Sequence, residues 1–160
     1  MRIWDWTTGN FVSEIAPDVG PLCHAALSPD GSRVVAVRED GGWIMAETST
    51  GKQIHAVSAD KVSARFVAYQ PDGKSFATVG EYLTLWDAAS GNRLRESRLG
   101  GKELQAACFS PGGKQLATAA KDGNIRIFDV SEGRLIKRIP IAPNRSIIEC
   151  ISLTPTAATC

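Results

Sequence analysis

Histidine is scarce in this sequence. Only His24 and His55 are present, and both fall in runs that read as strands. Ser/His/Asp and Cys/His arrangements therefore lack a convincing base. Cysteine is sparse too. Cys23, Cys108, Cys150 and Cys160 form no CxxC pair, so the spacing of a zinc site is missing. The first three lie in apolar runs, where a thiol acts as a small hydrophobe, and they are expected to be buried and free. No GxSxG, GxxxxGK[ST], HExxH or EF-hand pattern occurs. No catalytic residue, cofactor-binding residue or metal ligand is accordingly expected. No apolar run approaches the length needed to span a bilayer. The opening MRIWDWTTGN has no apolar signal-peptide core. If Met1 is the true start, the expectation is a cytoplasmic chain without a membrane partner.

An excess of charge of either sign is missing as well. The net charge is +1, which argues against a chain-wide nucleic-acid surface. The distribution is uneven. Residues 1–90 carry 7 Lys+Arg and 11 Asp+Glu, whereas residues 91–160 carry 11 and 6. Arg93, Arg95 and Arg98 form one basic tract; Arg134, Lys137 and Arg138 form another. Neither has the interleaved aromatics of a single-strand binder. Both suit solvated outer strand edges, where charge discourages edge pairing.

What is present is a repeat. Ser28-Pro29-Asp30-Gly31, Gln70-Pro71-Asp72-Gly73, Ser110-Pro111-Gly112-Gly113 and a decayed Thr154-Pro155 place prolines 42, 40 and 44 residues apart. A second marker, Thr8-Gly9, Thr50-Gly51, Ser90-Gly91 and Glu132-Gly133, has glycines 42, 40 and 42 apart. Two markers with one period leave little room for coincidence. Before the second marker runs a strand ending in an aromatic–acid pair: RIWD at 2–5, LTLWD at 83–87 and IRIFD at 125–129. The equivalent run at 43–47 is WIMAE, where Ala46-Glu47 replaces the pair. Short β-branched and apolar runs separated by Gly/Pro/Asp turns read as strands, four to a repeat. No segment has sustained helical periodicity.

These residues resemble WD-repeat β-propellers, whose period of ~40–45 residues and WD dipeptide they match. The resemblance covers almost the whole chain. It implies an all-β, partial or open propeller of about three complete four-stranded antiparallel blades, at about 22–57, 64–98 and 104–140. Incomplete blade pieces are expected at 1–16 and 147–153. Aligned on the prolines, Ala26, Ala68, Cys108 and Ser152 are small and suit the narrow inner strand. The following Leu27, Tyr69, Phe109 and Leu153 are large and are expected to pack between blades. The family's buried His–Asp–Ser/Thr–Trp network is incomplete in every repeat. Asp18, Asp60, Gly100 and Asn144 stand where its histidine would be, and the turn Asp is available only at Asp122 and Asp40.

The resemblance implies a non-catalytic protein-interaction scaffold with protein partners. Loops on a rigid scaffold carry function. The family's partner face bears the connections at 17–21, 58–63, 99–103 and 141–146 and the hairpins at 38–43, 80–82 and 121–124. Arg38, Trp43, Tyr82 and Lys121 lie in or beside those hairpins and are the candidate partner-binding residues. Trp43 also aligns with Leu83 and Ile125, which reads as core. Two alternatives stand beside this reading: the regulatory propeller of a larger enzyme, such as a kinase or peptidase, and a truncated gene product. Bare terminal blades would expose apolar faces, so self-association is expected as well.

Overall fold

The computed structural model describes residues 1–15, 20–58, 64–99 and 104–141. Among these residues every regular element is a β-strand. A two-stranded ribbon pairs β1 (Arg2–Trp4) with β2 (Phe11–Glu14). Three four-stranded antiparallel sheets follow, each a simple meander. The first holds β3 (Leu22–Leu27), β4 (Arg33–Arg38), β5 (Trp43–Glu47) and β6 (Gln53–Val57). The second holds β7 (Phe66–Tyr69), β8 (Ser75–Val79), β9 (Tyr82–Asp87) and β10 (Arg93–Arg98). The third holds β11 (Leu104–Phe109), β12 (Gln115–Ala120), β13 (Asn124–Asp129) and β14 (Leu135–Pro140). The expected strand at 147–153 and the connecting segments 59–63 and 100–103 lie outside the described residues, as do Cys150 and Cys160.

The repeated turn signals make the meanders. At the Pro-Asp-Gly turn of the first sheet, Asp30 accepts from the Ser28 hydroxyl at 2.5 Å and from the Ser32 N–H at 3.0 Å. These bonds hold its carboxyl down at about 2. After the third strand of each sheet the acid does similar work. Asp87 accepts from the Ser90 N–H at 2.7 Å, and Asp129 from the Glu132 N–H at 2.9 Å. Asp5 accepts from the Thr7 N–H at 2.8 Å. Glu47, one carbon longer, instead accepts from the Thr50 hydroxyl at 2.6 Å. The recurring acids are turn-closing groups, which is why they recur with the period.

The sheets stack face to face. Their second strands are therefore buried on both sides and read as unbroken apolar runs rather than as alternation. In β4, Val34 and Ala36 pack toward Ile15 and Ile3 of the ribbon. The intervening Val35 and Val37 pack forward with Val67, Tyr69 and Phe76 of the second sheet. The boundary between the second and third sheets is filled by Ala77, Val79, Leu83 and Leu99 against Leu116, Phe128 and Val130. The outer strands β10 and β14 are mostly exposed, which suits their charged sequences.

Two expectations are corrected. Cys23 is exposed rather than buried, and Cys108 is half-buried. β7, with a sheet on each side, has no exposed residue, whereas β3 is mostly exposed; an apolar run in a first strand is buried only where a neighbouring sheet covers it. Leu27, expected to pack between sheets, is 55% exposed, although its counterpart Tyr69 is 9% exposed. Tyr69 has the first sheet behind it. Leu27 has behind it only the ribbon, which has no inner strand among the described residues.

Candidate interaction face

The hairpins joining second to third strands occupy the same end of each sheet. Each carries an acid held by an arginine. Asp40 is paired with Arg38, which also donates through Nε at 3.0 Å. Glu81 accepts from Arg98 at 2.6 Å. Asp122 is paired with Arg126, and the same guanidinium donates a second bond at 3.2 Å. The Arg126 side chain is 9% exposed; it holds the Asp122 carboxyl down at about 2. Only Arg126 of the three arginines is buried; the Arg38–Asp40 and Arg98–Glu81 pairs stand at the surface. A bidentate guanidinium grips a carboxylate firmly, so Asp122 is the best held of the three acids. These pairs were invisible in the sequence, because the partner sits at a different offset in each sheet.

One member of the network survives. Trp86 donates its indole N–H to the Thr78 hydroxyl at 2.9 Å. In the third sheet Phe128 replaces that tryptophan and cannot donate. Thr118, at the position of Thr78, is 0% exposed and its hydroxyl has no partner among the described residues. The same substitution is therefore expected to have opposite signs in the two sheets. Thr78→Val strips the acceptor from Trp86 and should cost about 1 kcal/mol. Thr118→Val removes an orphan hydroxyl at constant shape and should gain about 1 kcal/mol. Urea unfolding of the two variants checks this; equal signs would contradict it.

The four candidate partner-binding residues do not share one fate. Arg38 is half-buried at the first hairpin, engaged with Asp40. Tyr82 is half-buried at the second, and lines a cleft of about 250 Å³ between the first two sheets together with Gly41, Gly42 and Glu96. Lys121 is exposed at the third. Trp43 is 1% exposed and belongs to the core between the first two sheets. Its ring meets Phe76 edge-on at 5.0 Å and Trp86 at 5.1 Å. The structure thus takes Trp43 off the surface. Its place opposite Val57, at the inner end of the third strand, puts it under the hairpin rather than on it.

The remaining polar groups are structural in their contacts. His24 accepts from the Val67 N–H at 3.4 Å and meets the Phe66 ring edge-on at 5.5 Å. Burial pulls its pKa down, against a smaller upward pull from Val67. His55 reaches the Ala89 carbonyl of the next sheet at 3.0 Å. Arg93 pairs with Glu96 at 2.9 Å and Arg134 with Glu132 at 3.0 Å, so the basic tracts are partly neutralised in place. Among the described residues no group of three or more His, Cys, Asp or Glu could hold a metal ion. No helix there is long and apolar enough to cross a membrane.

Four-stranded antiparallel meanders stacked face to face, each entering from its inner strand and leaving by its outer one, are blades of a β-propeller. Comparisons with known proteins agree. The β-propeller domain of Cps50 (Swd1) from Myceliophteria thermophila superposes with a TM-score of 0.75 at 16% identity, covering 89% of this chain and 49% of that one. The WD40 repeats of RRP9 superpose with a TM-score of 0.71 at 18% identity, covering 78% of this chain and 40% of that one. A family model described as the anaphase-promoting complex subunit 4 WD40 domain matches residues 85–155. WD repeat-containing protein SL1-17 of Schistosoma mansoni is 29% identical over 140 residues, which is 85% of this chain and 46% of that protein. Autophagy-related protein 16 of Arabidopsis thaliana is 24% identical over 157 residues, 96% of this chain and 30% of that protein. The chain spans less than half the length of either relative. The family model, the relatives and the fold support a WD-repeat β-propeller fragment; proteins of this kind are generally protein-interaction scaffolds.

Proposed function

We propose that this chain is a non-catalytic scaffold that binds a protein partner across the hairpin end of its blades. The carrying observation is the alignment of three hairpins at one end of three stacked blades. It puts Arg38, Tyr82 and Lys121 on a common rim, with the Tyr82 cleft between the first two blades. Arginine and tyrosine are typical anchors of protein interfaces. Hairpins fixed by local ion pairs offer them with little ordering cost on binding. Partner identity belongs to chemistry that this rim would recognise: a polar protein surface of mixed charge with an apolar projection for the cleft.

The test is affinity capture with the wild-type chain and with an Arg38→Glu/Lys121→Glu double variant, whose thermal melts are compared first. The wild type should retain a discrete set of proteins that the variant loses by about tenfold or more. Identical sets from both chains would place binding elsewhere. Retention of nothing above background by the wild type would remove the scaffold reading.

A further inference from the structure

Both histidines of the chain bridge the same pair of blades, the first and the second, one at each edge of the boundary. They do so with opposite hydrogen-bonding roles. At the inner edge His24 of β3 faces β7, the innermost strand of the second blade. In the β7–β8 ladder the Gln70 N–H donates to the Ser75 carbonyl at 2.9 Å. The alternation along an antiparallel strand turns the Val67 N–H the other way, to the free edge of β7. His24 Nδ1 accepts it at 3.4 Å. An amide N–H only donates, so Nδ1 is bare and the ring is the neutral Nε2–H tautomer.

At the outer edge His55 of β6 lies over Gly91, where an added Cβ would stand 3.1 Å from the ring. Its Nε2 meets the Ala89 carbonyl at 3.0 Å. A carbonyl only accepts, so this Nε2 carries a proton, in the neutral ring and in the imidazolium alike. Acid therefore acts unequally on the two edges. A proton on Nδ1 of His24 sets donor against donor, whereas one added to His55 leaves its bond in place. Neither histidine has a counterpart at the next boundary. Phe66 and Ala106 hold the repeat position of His24, and Arg95 and Lys137 hold that of His55.

The surroundings of His24 leave its charge to this one contact. Val37 lies opposite it on β4, Phe66 of β7 meets it edge-on at 5.5 Å, and Cys23 precedes it on β3. No charged side chain among the described residues acts on it. The residue is otherwise open to solvent, so a proton can reach the ring.

We infer that the boundary between the first and second blades is a pH-sensitive latch. Neutral His24 ties the two inner strands together; its protonation releases them while His55 still holds the outer edge, and the boundary loosens from its inner side. Burial is the larger influence on the His24 pKa and sets it below the ordinary value of about 6.5. The unfolded chain therefore takes up this proton first. The contribution of the contact is complete above about pH 6.5 and is lost as pH falls through the lower folded value. The hairpin rim takes no part in this, so the latch and the proposed function can fail independently.

The test is a titration of the 160-residue chain from pH 8 to pH 5. Two imidazoles give two sets of ring C–H resonances in proton NMR, assigned by His24→Gln and His55→Gln. The His24 set should titrate below about pH 6.5. Urea midpoints over the same range should show the folding equilibrium constant falling by about threefold or more, the worth of one hydrogen bond. His24→Gln offers Val67 an amide oxygen that does not titrate, and should lose most of that fall. His55→Gln should keep it. A His24 resonance titrating at or above the ordinary value would overturn the inference, whatever the variants do. So would an undiminished fall in His24→Gln, or a fall abolished by His55→Gln, which would move the titrating contact to the outer edge.

Discussion

Replacing Trp43 by alanine should cost the fold about 3–5 kcal/mol, the usual loss for a buried tryptophan. Trp43 is among the largest fully buried side chains of the chain. Its indole sits between blades, in edge contact with Phe76 and Trp86 of the following blade. Removing it empties the boundary from the first blade's side and takes one ring partner from each aromatic, losing the edge-on contacts as well as the buried area. A loss of this size is a large share of the ~5–15 kcal/mol that holds an ordinary domain together. The variant should therefore unfold at markedly lower urea, and any loss of partner binding should follow from unfolding. Wild-type stability with selective loss of a partner would return Trp43 to the surface role that its place in the sequence suggested. Phenylalanine at the same position separates area from the indole N–H. That N–H has no acceptor among the described residues, so Trp43→Phe should lose much less than Trp43→Ala.

Gly51→Ala is expected to be far more damaging than Gly9→Ala, although the two glycines mark the same point of the repeat. Their backbones are alike, with φ at +72° and +68°. The conformational cost of a side chain at such a φ is about 1–2 kcal/mol in both. At Gly51, however, the added methyl group runs into the carbonyl of Glu14 in the preceding ribbon. Backbone cannot swing aside as a side chain can, so the boundary must open, at a further cost of about 1–3 kcal/mol. At Gly9 the methyl group meets nothing in a single chain. Urea midpoints of the two variants, taken at concentrations where the chain is monomeric, should differ accordingly. Equal losses would mean that only backbone conformation matters at this position.

Much of the architecture was legible because turns are chemically specific. Proline and glycine at fixed offsets in Pro29-Asp30-Gly31 and Pro71-Asp72-Gly73, and the acids Asp5, Asp87 and Asp129, each close a turn through their own backbone and side-chain bonds. Such local information survives in a sequence without an alignment. What could not be read depends on what lies across a boundary. Tyr69 and Leu27 hold the same repeat position and are both large and apolar; only the blade behind Tyr69 buries it. Cys23 looked like core because β3 and β7 are alike in composition, while β7 lies between two sheets and β3 does not. That Arg38, Tyr82 and Lys121 stand in or beside hairpins was legible, and their binding role remains a proposal. The arginine clamps on Asp40, Glu81 and Asp122 were not, since Arg38, Arg98 and Arg126 reach them from three different strands.

The two inner boundaries are unequal in kind. The one between the first and second blades is aromatic, with Trp43, Tyr69, Phe76 and Trp86. The one between the second and third has no tryptophan or tyrosine: Phe128, with Phe66 and Phe109 packed against the cluster, lies among Ala77, Val79, Leu83 and Leu116. In an array where each unit leans only on its neighbours, stability is the sum of unit and boundary terms. The chain is therefore asymmetric as a mechanical object. Under denaturant or load the third blade should detach while the first two remain joined, and amide exchange in β11–β14 should run ahead of exchange in β4, β5 and β8. The curved stack would then behave as a two-blade body with a hinged third leaf.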